Sequence, residues 1–246
     1  MIIKILGSGT ILSAKRNPSG YLIKSQNKSA LIDCGPGMLK QLTDLNIDSL
    51  SLSAIFISHF HIDHSSDVLP VLMRRYLKNR HINKKLTIFG PLGLKYWYKT
   101  QETLHGSWFS ENKPRLIEMH KNEIKWADLQ VETFPTLHLE NSIAYKFTKG
   151  QKSFFYGSDT DYEEGLVSFA ANSNLAIIEC SHRDENPVDG HLTPEKAAKF
   201  INTAAFEQCF LTHIYPENDT DDLLDRVRKY TNRNVQIASD LMDLKI

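Results

Sequence analysis

The sequence predicts an α/β fold in which two mixed β-sheets pack face to face with helices on the outside. Three observations carry that prediction. The early strands follow one another through short polar turns, as hairpins do. The later strands alternate with segments of helical period. The run Ala54-Ile55-Phe56-Ile57-Ser58 is apolar without alternation, as in a strand covered on both faces. A sandwich of two sheets with outer helices accommodates all three.

Taken in order, residues 2–6 form a first strand closed by Gly7-Ser8-Gly9-Thr10. Residues 20–24 and 29–33 form a hairpin around Ser25-Gln26-Asn27-Lys28. Gly35-Pro36-Gly37 breaks the chain, and Pro36 suits the first turn of a helix carrying Leu39, Leu42 and Leu45. After the strand at 54–58, residues 65–79 have helical spacing, with Val68, Leu69, Leu72 and Tyr76 on one face. A strand at 86–89 ends at Gly90-Pro91, and 91–105 reads as a helix. Strands are expected at 115–119, 129–133, 143–148, 153–156, 175–180, 209–212 and 235–238. Helices are expected from Thr193 and over 219–230, the latter with an acidic start that suits its dipole. No Pro/Gly/Ser-rich linker or fixed-period repeat divides the chain, so one domain is expected over 1–246.

The chain of 246 residues is 41% hydrophobic and 24% charged, enough to bury a core without disulfides. Its 29 basic and 29 acidic side chains cancel, which excludes a global positive field that would draw in nucleic acid. Cys34, Cys180 and Cys209 are widely spaced and form no Cys-x-x-Cys pair, as for three reduced thiols. No apolar run approaches the ~18 residues that span a membrane. The apolar N-terminus is too short for a signal peptide, so a cytoplasmic location without membrane contact is expected.

The chemistry concentrates in His59-Phe60-His61-Ile62-Asp63-His64, directly after the apolar strand. A strand's C-terminal end is where open α/β architectures place their sites. His59 and His61, two apart, point the same way, while Asp63 and His64 turn with the chain toward a second position. A polar loop or a helix cap explains one of these residues and not all four. Imidazole and carboxylate suit Zn²⁺, and Mn²⁺ or Fe²⁺ accept the same donors.

His-x-His-x-Asp-His after a hydrophobic strand resembles the metallo-β-lactamase superfamily. The resemblance implies a four-layer αββα sandwich and three further ligands at strand ends. Pro135-Thr136-Leu137-His138, Gly157-Ser158-Asp159-Thr160 and Leu211-Thr212-His213 match that order. It implies two zinc ions per chain. One would be held by His59, His61 and His138, the other by Asp63, His64 and His213, with Asp159 shared. Asp63 would thus belong to the catalytic centre as well as to the ligand set.

Lys15-Arg16-Asn17-Pro18-Ser19-Gly20 and Ile32-Asp33-Cys34-Gly35-Pro36-Gly37 resemble the ribonuclease Z-like branch. By that resemblance His191, in Gly190-His191-Leu192-Thr193, would be the acid that protonates the leaving oxygen, with Glu179 orienting it. Di-iron relatives usually carry Glu in place of His61, and the mRNA-processing nucleases carry a long insertion that is absent between Asp159 and His213. The tRNA-processing members carry a flexible arm in the segment that here is a hairpin around Lys149-Gly150-Gln151-Lys152. The expected function is therefore a dinuclear zinc phosphodiesterase acting on a small or cyclic phosphodiester or a short single-stranded nucleic acid, rather than on full tRNA. Homodimerisation is implied at the family level. Two alternatives share the motif. One is a hydrolase of another ester, of arylsulfatase or thioesterase type. The other is a non-catalytic metal-dependent binding protein, which has no need of Asp63, Asp159 and His191 together. The aromatic stretch from Tyr96-Trp97-Tyr98 to Trp108-Phe109 suits helix packing better than a pocket wall.

Overall fold

A computed structural model describes residues 1–78, 85–111 and 113–246. In chain order the elements begin with β1 (Ile2–Gly7), β2 (Gly20–Ser25), β3 (Lys28–Cys34), α1 (Met38–Asp44) and β4 (Leu52–Phe56). The one-turn α2 (Ile62–Ser65), α3 (Val68–Lys78), β5 (Thr87–Pro91), α4 (Leu94–His105), α5 (Ser107–Ser110) and β6 (Arg115–Met119) follow. The second half contains β7 (Glu123–Trp126), β8 (Leu129–Pro135), β9 (Ile143–Lys149), β10 (Lys152–Tyr156), α6 (Glu164–Ala170) and β11 (Leu175–Glu179). It closes with α7 (Pro194–Ala204), β12 (Gln208–Thr212), α8 (Leu223–Arg228), β13 (Val235–Ile237) and β14 (Asp243–Lys245).

The strands form two seven-stranded mixed sheets, ordered β14-β1-β2-β3-β4-β5-β6 and β13-β12-β11-β10-β9-β8-β7. Between them Phe56 sits at the centre of an aromatic cluster, its ring 4.7 Å from Phe89, 5.2 Å from Phe147, 5.6 Å from Tyr145 and 5.7 Å from Trp126. Alternate residues of the same strands face outward. Ile55 and Ile57 pack with Val68, Val71 and Leu72 of α3, and Phe155 packs with Phe200 of α7. The unbroken apolar runs are therefore strands with both faces buried, as their lack of alternation predicts. The predicted sandwich is the observed architecture, and it carries the αββα layering.

Several boundaries differ from the sequence reading for local reasons. β5 continues through Pro91, paired with Met119, and the following helix starts only at Leu94 because Gly93 turns at φ 95°. α1 begins after Pro36, at Met38, behind Gly37 at φ 87°. α8 is shorter than 219–230. Thr220 donates to Asp222 at 2.6 Å and Arg226 donates to Asn218 Oδ1 at 2.8 Å, so side chains replace the first helical turn. The helix expected over 65–79 is α3, which starts only at Val68 because Ser65 closes the separate turn α2, and the last expected residue lies outside the described ones. The short edge strands β7 and β14 and the helix α6 were not foreseen. No described helix is long and apolar enough to cross a membrane.

The topology positions the site. β3, β4 and β5 run parallel, as do β10, β11, β12 and β13. Asp33, His59, Asp159, Glu179 and His213 all lie at or just beyond the C-terminal ends of these strands, so one end of the sandwich collects them.

Candidate metal centre

The loop after β4 is built by distant partners. Ile57 N–H donates to Phe89 O, and Ser58 N–H donates to Asp33 Oδ1 at 2.8 Å. Ser65 Oγ donates to His61 O at 2.9 Å and closes the short α2, which presents Asp63 and His64. Gly35 lies against this loop. A Cβ there would stand 2.0 Å from Asp63 O and 2.9 Å from Ser19 O, so only glycine permits the approach. Gly35→Ala is expected to destabilise the fold by about 3 kcal/mol or more and to impair metal binding, because both obstructing atoms are backbone. Thermal melting and metal analysis of the variant check this; unchanged values would contradict it.

All seven sequence-predicted ligand residues converge here. His59, His61, His138 and Asp159 form one group and Asp63, His64 and His213 another, while Asp159 and His213 also form a third with His191, each with its donor atoms within 4.8 Å of one another. Asp159 stands between the groups: Oδ1 lies 3.4 Å from His64 Nε2, and Oδ2 lies 3.4 Å from His213 Nε2 and 3.8 Å from His59 Nε2. Asp63 Oδ2 is 3.4 Å from His213 Nε2.

The ring orientations follow from hydrogen-bond accounting. Ser58 Oγ donates its hydrogen to Asp33 Oδ2, so it accepts from His59 Nδ1–H at 3.0 Å. Ser181 Oγ donates to His213 O and accepts from His213 Nδ1–H at 3.0 Å. His138 Nδ1–H donates to Gly190 O at 3.1 Å, and His64 Nδ1–H donates to Asp33 Oδ2 at 2.7 Å. Four imidazoles thus turn Nε2 inward, while His61 turns Nδ1 toward His138 Nε2 at 3.2 Å. Outer partners that fix the tautomer in this way are what metal-binding histidines require. His59 Nε2, His64 Nε2 and Asp159 Oδ1 are buried with no hydrogen-bond partner. Three buried polar atoms without a hydrogen-bond partner, facing one space, are costly unless a cation joins them. The donor set therefore fits bound metal.

The electrostatics of the cluster support the same reading. Burial, reinforced by the His64 charge, lowers His59 well below the ordinary histidine value, and burial lowers His138 too. Both rings are neutral and ready to ligate. Burial would also depress His64, but Asp159 and Asp33 override it and raise the group well above 6.5. In the metal-free protein His64 therefore keeps a proton above pH 6.5, and a metal must displace it. Metal uptake is expected to release protons at neutral pH, with apparent affinity rising as pH rises. Calorimetry in buffers of different ionisation enthalpy tests this; no proton release and a pH-independent affinity would contradict it.

Beside the cluster, Glu179 is fully buried and accepts from Thr160 N–H at 2.7 Å, Leu192 N–H at 3.0 Å and His191 Nδ1–H at 3.1 Å. Burial would lower His191, yet the Glu179 carboxylate wins and raises it to about 9. The His191 ring lies 4.8 Å from that of His138 and 5.8 Å from that of His213. Of the aromatic stretch, Tyr98 and Phe109 pack together at 4.5 Å as helix packing predicts, but Trp97 stacks on Phe60 of the metal loop at 5.7 Å.

Some site residues escaped the sequence reading. Asp33, fully buried, accepts from Ser58, His64 and, at 2.5 Å, from Tyr156 Oη. Its signal was an Asp ending an apolar strand before Gly35-Pro36-Gly37. Asp33, Ser158 and His213 have φ of 53°, 56° and 51°, left-handed turns that cost about 1–3 kcal/mol each. These turns aim the strand ends at one point. Tyr215, whose phenol burial and the surrounding carboxylates push up to about 12, lies 5.7 Å from the His213 ring.

Fold and donor set define the class: a four-layer αββα sandwich with a histidine and carboxylate cluster at its strand ends. Residues 29–214 match the model of the beta-lactamase superfamily domain, and the chain belongs to that family. Among relatives, it is 24% identical over 249 residues to the probable metallo-hydrolase YhfI of Bacillus subtilis (strain 168), covering 97% of each chain. It is 26% identical to ribonuclease Z of Borrelia duttonii (strain Ly), covering 99% of this chain and 96% of the relative. That alignment runs over 306 positions against the 246 residues here, so the relative has segments with no counterpart. The crystal structure of YhfI superposes with a TM-score of 0.86 at 22% identity, covering 99% and 98% of the two chains. Human tRNase Z, short form, superposes with a TM-score of 0.79 at 22% identity, covering 100% and 99%.

Proposed function

We propose that the protein is a metal-dependent phosphodiesterase that takes small or cyclic phosphodiesters or short single-stranded nucleic acid. The observation that carries this reading is the Glu179–His191 pair set against the histidine and carboxylate cluster. A pure metal-binding scaffold has no use for a carboxylate-held imidazole at that place. His59, His61 and His138 would hold one cation, Asp63, His64 and His213 the second, and Asp159 both; zinc fits these donors best. When bound, such cations supply Lewis-acid polarisation and make water a nucleophile at neutral pH.

The chain's own residues do the rest. Asp33, Ser58, Ser181 and Gly190 keep the imidazoles in their ligating tautomers. His191 holds a proton at Nε2, because Nδ1–H is committed to Glu179, and delivers it to the leaving oxygen. Glu179 steadies the imidazolium before transfer. The ribonuclease Z relatives support the phosphodiester class. The hairpin of β9 and β10, with Lys149 paired to Lys152, supports a compact substrate, since nothing extends from it to grip a large RNA.

Turnover of bis-p-nitrophenyl phosphate and 2′,3′-cyclic nucleotides should be compared with that of p-nitrophenyl sulfate and acetate. The reading expects the phosphodiesters to be preferred by kcat/KM. Preference for the sulfate or the carboxylic ester would replace it with another ester hydrolase on the same centre.

A further inference from the structure

His182 lies outside the ligand set and outside the Glu179–His191 pair, yet the fold holds it beside them. Its ring lies 4.3 Å from that of Tyr215 and 5.4 Å from that of His191. Its Nδ1 is 2.9 Å from Glu217 Oε1. The backbone is tied down too, since Ser181 N–H donates to Leu192 O and Tyr215 N–H to Ser181 O. A carboxylate only accepts, so Nδ1 carries the hydrogen in the contact with Glu217, and in that tautomer of the imidazole Nε2 is the acceptor. No described residue hydrogen-bonds that nitrogen, and it is not among the sealed buried atoms. A second carboxylate-held imidazole thus stands next to the first, with its Nε2 claimed by no described residue.

We propose that His182 is a substrate-positioning residue that reads a hydroxyl next to the leaving oxygen, as on the vicinal diol of a ribose. The assignment rests on the reading that His191 faces the leaving oxygen. An acceptor on the neighbouring ring then falls on the leaving-group side of the substrate, and its complement is a donor. A 2′-hydroxyl beside a 3′-ester supplies that donor; a 2′-deoxyribose does not. Tyr215 fixes the face of the His182 ring and Glu217 fixes its tautomer, so the acceptor is preorganised and the preference needs no rearrangement.

The test measures binding of uridine 3′-phosphate and 2′-deoxyuridine 3′-phosphate to the metal-loaded protein by calorimetry, with His182→Phe and Glu217→Ala alongside. Glu217 is half-exposed, so its variant guards against a folding failure of the first. The wild type should bind the ribonucleotide about tenfold more tightly, the worth of one neutral hydrogen bond. His182→Phe should bring the ratio near one, and Glu217→Ala should lower it. Equal affinities in the wild type, or a ratio unchanged in both variants, would overturn the inference. A loss of both affinities at an unchanged ratio would do the same, since it marks a merely structural role. Turnover of bis-p-nitrophenyl phosphate, which has no vicinal hydroxyl, judges the phosphodiesterase reading separately. Its absence with the ribose preference intact would sink that reading and leave this one standing.

Discussion

Replacing Asp159 by alanine is expected to cost at least one metal equivalent per chain and to lower phosphodiester turnover about a thousandfold or more. The expectation rests on where its two oxygens lie. One faces His64 and the other faces His59, His138 at 3.9 Å and His213, so no other described carboxylate reaches both ligand groups. Burial would raise its pKa, but the His213 and His64 charges hold the carboxyl well below the ordinary range, so it is ionised whenever a metal arrives. Asp159→Asn keeps the shape and removes the charge, and should lose metal nearly as fully. Metal analysis of the folded variants decides the matter. Full occupancy in both would remove Asp159 from the ligand set.

The second large effect concerns His191. His191→Ala should leave the metal content intact, because its Nδ1 is committed to Glu179 and two other groups form among the remaining seven residues, although a third group joins His191 to Asp159 and His213. Its cost should depend on the leaving group. A p-nitrophenolate departs without a proton, so bis-p-nitrophenyl phosphate should suffer little. An alkoxide needs one, and a dinucleotide should lose about 10²–10⁴ in kcat. Glu179→Gln should fall between. An equal loss on both substrates, or loss of metal, would mean that His191 serves the metals and not the leaving oxygen.

How much of this was legible in the sequence depended on how local each signal is. The loop at His59 to His64 declared itself because its donors are neighbours in the chain and follow an apolar strand. His138, Asp159 and His213 were legible only as polar residues ending strands in the right order. The residues that orient them were not legible. Ser58 and Ser181 look like loop serines, and the Gly190 carbonyl has no side-chain signal. Asp33 reads only as the end of a strand until Ser58, His64 and Tyr156, from 25 to 123 positions away, close around it. The same limit governed the fold. Two-sided strands such as the one ending at Phe56 were plain from their unbroken apolarity. The edge strands β7 and β14 carry mixed residues and exist because a neighbour is there to pair with. His182 shows the limit most clearly, since its partners Glu217 and Tyr215 lie more than thirty positions on.

Metal stoichiometry read together with turnover in one sample tests the metal-dependent phosphodiesterase most directly. Two metal equivalents per chain are expected after zinc loading, with bis-p-nitrophenyl phosphate hydrolysed in proportion to occupancy, abolished by chelation and restored by added zinc. Two bound metals without any phosphodiester turnover, or turnover indifferent to chelation, would contradict it.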